Sequence, residues 1–147
     1  MRRRSQVFFL LTLCMLFWFN LATAQNPERT KTVAISADSV YTKVLRALHE
    51  SGYYIAQLDR PSGFIQSSVL LKDKSIIGFK EGEKRILNFL VSSHSDSTAT
   101  IVLNIFRIER YRGGSFDSPN YYEEDKGLVQ DDKIYQQMWN KILPLIH

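Results

Sequence analysis

Cysteine is almost missing from this chain. Among 147 residues there is one, Cys14, and it lies inside an apolar run near the start. Everything after it is free of thiols, which excludes a disulfide framework, thiol catalysis and cysteine-based zinc sites from residues 25–147. No Asn-x-Ser/Thr acceptor occurs anywhere. No Gly-x-Ser-x-Gly turn presents a serine nucleophile. Gly113-Gly114 stands in the wrong context for a phosphate-cradling loop, since no strand before it opens into a helix after it. The longest apolar run, Val7–Phe19, has 13 residues and one threonine. That is short of the roughly 20 residues needed to span a bilayer core.

The start of the chain does carry a pattern. Arg2, Arg3 and Arg4 precede the apolar run, Asn20 breaks it, and Ala22-Thr23-Ala24 leads to Gln25. A positive start, a short apolar middle and an A-x-A end are the parts of a secretory signal. They predict cleavage between Ala24 and Gln25, with Ala22 and Ala24 as the small residues read at the site. The competing reading is an uncleaved N-terminal anchor. Cys14 is followed by more apolar residues and preceded by Leu13, so it does not fit a lipid-attachment site; it belongs to the apolar run. The expected product is an exported domain in the periplasm or on the exterior of a bacterium, with no stable membrane anchor after cleavage.

Export also changes the charge. The whole chain carries 19 basic and 15 acidic residues, a formal +4. Removing the three leading arginines leaves about +1, which does not provide the concentrated basic face of a nucleic-acid binder.

Residues 25–29 read as a flexible lead-in and 30–147 as one domain. Thr30–Ile35 is a β-branched strand. Ser36 is placed as the N-cap of a helix with Val40, Val44 and Leu48 at spacing four, widened by Tyr41 and Leu45. Gly52 ends it as a left-handed C′ residue. Strands are expected over 53–58, 64–71, 85–93 and 98–111, with a short apolar piece at 75–79 and a turn at 80–84. Residues 112–127 hold Gly113, Gly114, Pro119 and the acidic run Glu123-Glu124-Asp125, and read as a long loop. A last helix carries Ile134, Met138 and Ile142, flanked by Tyr135, Trp139 and Leu143, with Pro144 stopping or kinking it. The expectation is an α+β fold: an antiparallel sheet of about five strands with both helices on one face, and a half-apolar outer face.

The stretch Val40, Val44, Leu48, Gly52-Tyr53, an apolar strand, then Asp59, Gly63 and Ile65 resembles the helix-grip domains of the bacterial envelope, of which the C-terminal domains of the lipoprotein BamC are an example. The similarity covers residues 33–69 and the element order. It implies fold and envelope location and transfers no functional residue.

Chemistry-bearing residues are sparse. His49-Glu50 lacks the second histidine one turn on, which is Tyr53 here; His94 and His147 read as surface residues. Asp59, Asp96, Asp117 and Asp131 fall where backbone reasons alone favour aspartate. Lys72, Lys74, Lys80, Lys84, Arg85, Arg107, Arg110 and Arg112 are interleaved with acids and read as guards of strand edges against aggregation. No catalytic residue, metal ligand or cofactor is assigned, and the chain is not expected to be an enzyme. The best interaction candidate is the loop with Phe116, Tyr121 and Tyr122, because large aromatics in a polar segment are interface anchors. The expected function is a protein-binding or structural module with an envelope protein as partner. The alternative is a carrier of a small apolar ligand, held between sheet and C-terminal helix and lined by Phe89, Met138 and Trp139.

Overall fold

A computed structural model describes residues 27–72, 80–115 and 117–146. The signal-like segment with Ala22, Ala24 and Gln25, the piece at 75–79, Phe116 and His147 lie outside these residues. In order come a 3-10 turn Pro27–Arg29, β1 Thr30–Val33, α1 Ala37–Glu50, β2 Tyr54–Asp59, β3 Phe64–Lys72, β4 Lys80–Ser95, β5 Thr98–Ser115, β6 Ser118–Leu128 and α2 Asp132–Ile146. The fold is α+β, with two helices and one six-stranded sheet among the described residues. Every pairing is antiparallel, in the order β1-β5-β4-β3-β2, with β6 pairing the far half of β5.

The helices form where the apolar spacing places them. Ser36 is the N-cap of α1, though its hydroxyl bonds Ser39 Oγ at 3.0 Å instead of a backbone N–H. Gly52, at φ +77°, turns the chain out of α1, and Tyr53 N donates back to Leu48 O. Val40, Val44 and Leu48 are fully buried, as are Tyr135, Ile142 and Ile146 of α2. Along β5, Ala99, Ile101, Leu103 and Ile105 alternate inward to meet them, because successive strand residues point to opposite faces. Trp139 meets Phe89 edge-on at 6.2 Å. Its indole N–H donates to Glu28 O at 2.6 Å. The Tyr135 hydroxyl, buried beneath β5, donates to Val129 O at 3.0 Å and accepts from Ile105 N at 3.3 Å. Both polar aromatics thus bury their rings without leaving a donor unpaired.

Four local expectations are corrected. Residues 27–29 of the lead-in form a turn, tied down by the Trp139 bond and by Arg29, whose guanidinium lies 5.6 Å over the Tyr135 ring. Pro144 does not stop α2, which runs to Ile146. The proline removes one hydrogen bond in the last turn, while Ile146 is buried and its carbonyl accepts from Lys43 Nζ of α1 at 2.6 Å. Residues 80–84 are strand, not turn, and pair with β3 and β5. Gly82 permits this: a Cβ there would stand 2.5 Å from Leu71 O. Substituting Gly82→Val is therefore expected to part β3 from β4 and cost about 1–3 kcal/mol, checked by thermal unfolding followed by circular dichroism; an unchanged midpoint would contradict the close approach. Lastly, residues 112–127 are not a loop.

Candidate functional site

Arg112–Gly127 is a β-hairpin. Strand β5 continues to Ser115 and β6 returns from Ser118, with Tyr111 opposite Tyr122, Arg112 opposite Tyr121 and Gly113 opposite Asn120. The glycines and Pro119 suggested a loop, yet each suits an edge hairpin. Gly114, at φ +80° opposite Pro119, takes a left-handed backbone conformation just before the strands part, and Pro119 sits near the first residue of an edge strand, where a missing N–H costs least. The acidic run follows the same correction. It lies in β6, not ahead of α2: Glu123 faces Arg110 across the strands, Glu124 pairs with Lys126 at 2.7 Å, and Asp125 Oδ1 accepts from Gly127 N at 2.7 Å.

The hairpin forms an arm. At about 3.3 Å per residue, an 18-residue strand reaches well past helices that rise only about 1.5 Å per residue. The helices cover the inward face of β5 as far as Ile105. Beyond it the same alternation continues as Arg107, Glu109 and Tyr111, and the floor turns from apolar to ionic.

Glu109 is the hub of that floor and only 7% exposed. Its Oε1 accepts from Lys80 Nζ at 2.7 Å and its Oε2 from the Tyr111 hydroxyl at 2.5 Å. Arg107 and Lys126 flank it at 3.6 and 3.7 Å. Glu83, two residues along β4 from Arg85, accepts from Arg85 Nε at 2.6 Å and from Lys80 at 3.2 Å. The hydrogen bonds from Lys80 and Tyr111 hold the Glu109 carboxyl down at about 2. Burial pushes Glu83 up, but Arg85 and Lys80 outweigh it and keep it below the ordinary carboxylate range. Lys80 and Tyr111 are raised, each first by its bond to Glu109. All these shifts favour the forms already present at neutral pH, whereas a general acid or base is tuned toward neutrality. Chemically, the network clamps β4, β5 and β6 together.

On this clamp the two tyrosines point to opposite sides. Tyr122, 52% exposed, stacks on Tyr111 with ring centroids 5.4 Å apart. Tyr121, 44% exposed, lies on the outer face with Arg110 over its ring at 4.8 Å. That outer face carries the half-buried Phe64, Ile86, Val102 and Phe106 together with exposed Leu70 and Leu90, and among the described residues no helix covers it.

A second feature lies between α2 and the inward sheet face: a cleft of about 250 Å³. Val69, Leu71, Leu87 and Ile105 floor it, and one stripe of α2, Ile134, Gln137, Met138 and Lys141, walls it. Of the three residues expected to line such a space, Met138 does, while Phe89 and Trp139 are packed in the core beside it.

The remaining candidates stay scattered. His49 and His94 are exposed on α1 and at the end of β4. Asp59 accepts from Ser62, Asp131 caps α2 through Lys133 N, and Asp96 and Asp117 sit in the β4–β5 and β5–β6 turns. Among the described residues there is no group of three potential metal ligands, and no helix is long and apolar enough to cross a membrane. The Glu109 network was missed in the sequence, although a signal existed. Glu83 and Arg85, like Arg107, Glu109 and Tyr111, repeat at the strand period of two on the face that Leu87 and Ile105 mark as inward.

No protein-family model and no curated protein matches the chain. A solved structure similar to it is that of a DUF4468 family protein from Bacteroides ovatus ATCC 8483, with 10% sequence identity and a TM-score of 0.40, covering 86% of this chain and 91% of that one.

Proposed function

We propose that this chain is a non-catalytic module, exported to a bacterial envelope, that binds a protein partner through its β5–β6 hairpin arm. The observation that carries the reading is the exposure of Tyr121 and Tyr122 on a strand held from beneath by the Glu109 network. Exposed aromatics on a rigid support lose little conformational freedom on docking, and tyrosine and arginine are enriched where interfaces draw their energy. β6 is also a sheet edge, so a partner strand can add to it while the tyrosines supply contacts on both faces. Support for export comes from the arginines, the apolar run and the Ala22-Thr23-Ala24 step. The helix-grip assignment belongs to the same proposal and rests on two helices over one antiparallel face.

The test is capture from envelope extracts by residues 25–147, set against a Tyr121→Ala/Tyr122→Ala double variant. A partner lost about tenfold or more from the variant, with its thermal midpoint within a few degrees of the parent, is the expected result. Identical partner sets would remove the arm as the site.

A further inference from the structure

The cleft under α2 has a chemistry of its own, and shares only Arg85 with the network beneath the arm. Helix α2 carries two stripes. One, with Tyr135, Trp139, Ile142 and Ile146, is the buried core, and the buried Met138 borders both stripes. The other, Ile134, Met138 and Lys141, runs along the cleft and passes from apolar to cationic within two turns. The floor repeats the gradient, since Leu87 gives way to Arg85 two residues along β4 on the same face. Among the described residues of the lining, Arg85 and Lys141 are the charged ones, and no acid is among them. Glu83, the nearest partner of Arg85, is already shared with Lys80. The Tyr53 hydroxyl also faces in and donates to Met138 Sδ at 3.4 Å, a weak acceptor that a ligand oxygen would outcompete.

We infer that this cleft binds one medium-chain amphiphile with a carboxylate head, its chain against Leu87, Ile105, Ile134 and Met138 and its head between Arg85 and Lys141. Size and charge argue for that occupant. An apolar cavity of about 150 Å³ takes benzene, so 250 Å³ has room for roughly ten heavy atoms, those of octanoate. A wholly apolar chain would leave Lys141 and the Tyr53 hydroxyl without a new partner. A free anion without a chain would leave the apolar walls wet. The inference stands apart from the arm: its readout does not involve Tyr121 or Tyr122.

The probe is sodium octanoate, titrated into residues 25–147 and followed by calorimetry and by amide chemical shifts, with 1-octanol as the uncharged control. Saturable one-to-one binding is expected, with shifts centred on Leu87, Ile105 and Met138. Lys141→Glu, at an exposed helix position, should weaken octanoate about tenfold and leave octanol unchanged. Ile134→Trp, with its amide spectrum otherwise retained, should block both. Absence of saturable octanoate binding below its micelle-forming concentration overturns the inference. So does octanol binding as tightly as octanoate with no effect of Lys141→Glu. Sedimentation with phosphatidylglycerol vesicles in place of octanoate binding would assign the cations to a membrane surface and likewise overturn it.

Discussion

Replacing Trp139 with alanine is expected to lower the free energy of unfolding by about 3–5 kcal/mol. Trp139 is 2% exposed and sits where the C-terminal helix crosses the sheet. Three losses coincide there. The ring fills space against Phe89, and a domain of this size cannot collapse around the void of a deleted indole, so a cavity term adds to the transfer term. The indole N–H holds Glu28 O at 2.6 Å, so the variant removes that bond and loosens the turn that starts the described chain. That turn also places Arg29 over Tyr135, so the loss spreads along α2. Urea unfolding followed by far-UV circular dichroism measures the change. A loss below about 1 kcal/mol would mean the C-terminal helix is not the keystone of the core. Tyr135→Phe is a milder companion. It removes a hydroxyl that serves both Val129 O and Ile105 N, and its cost should be about 1–3 kcal/mol.

The second large effect belongs to Glu109. Glu109→Ala leaves Lys80, Arg107 and Lys126 facing one another across β4, β5 and β6, and strips Tyr111 of its acceptor. The three cations are partly exposed, so water takes up some of the loss. A cost of roughly 2–3 kcal/mol follows from losing charge-assisted hydrogen bonds at a buried acid. The arm should respond more than the core: amide protection in 118–128 should collapse while that of β3 and α1 is kept. The acid limb follows from the same residue. Its carboxyl titrates at about 2 in the fold against an ordinary value of 4.5. A depressed pKa in the folded state contributes stability that is full above 4.5 and is lost as the pH falls from 4.5 toward 2. Glu83, also lowered, acts in the same direction. Glu109→Gln should therefore flatten the stability profile across that window. A parallel, unflattened profile would show that the network carries no such weight.

These two residues mark what was legible in the sequence and what was not. The core was legible because helical and strand periods are read directly from apolar spacing. Val40, Val44 and Leu48 were assigned to a buried face, as were Met138 and Ile142, and they lie there. β3 and the inward set of β5 followed from the same rule. The arm was not legible. Its strands have no apolar face, since neither α1 nor α2 covers them, and β6 presents polar residues on both sides. A strand that is wet on both faces has the composition of a loop, and Gly113, Gly114 and Pro119 reinforced that reading. The start of β4 was misread for the same reason, its lysines and glutamates being paired across strands instead of turning the chain. The six-stranded count, against about five expected, comes from this one segment. What the composition did reveal was the pair of aromatics in a polar stretch; Tyr121 and Tyr122 are both exposed in the fold.

Photo-cross-linking in the intact cell envelope tests whether the arm meets a protein partner. A benzophenone side chain is placed singly at Tyr121 and Tyr122 on the arm, and at Tyr54 and Leu58 on the exposed edge strand at the other end of the sheet. One discrete protein adduct is expected from positions 121 and 122 and none from 54 and 58. Adducts from 54 and 58 alone, or from no position at all, would contradict it.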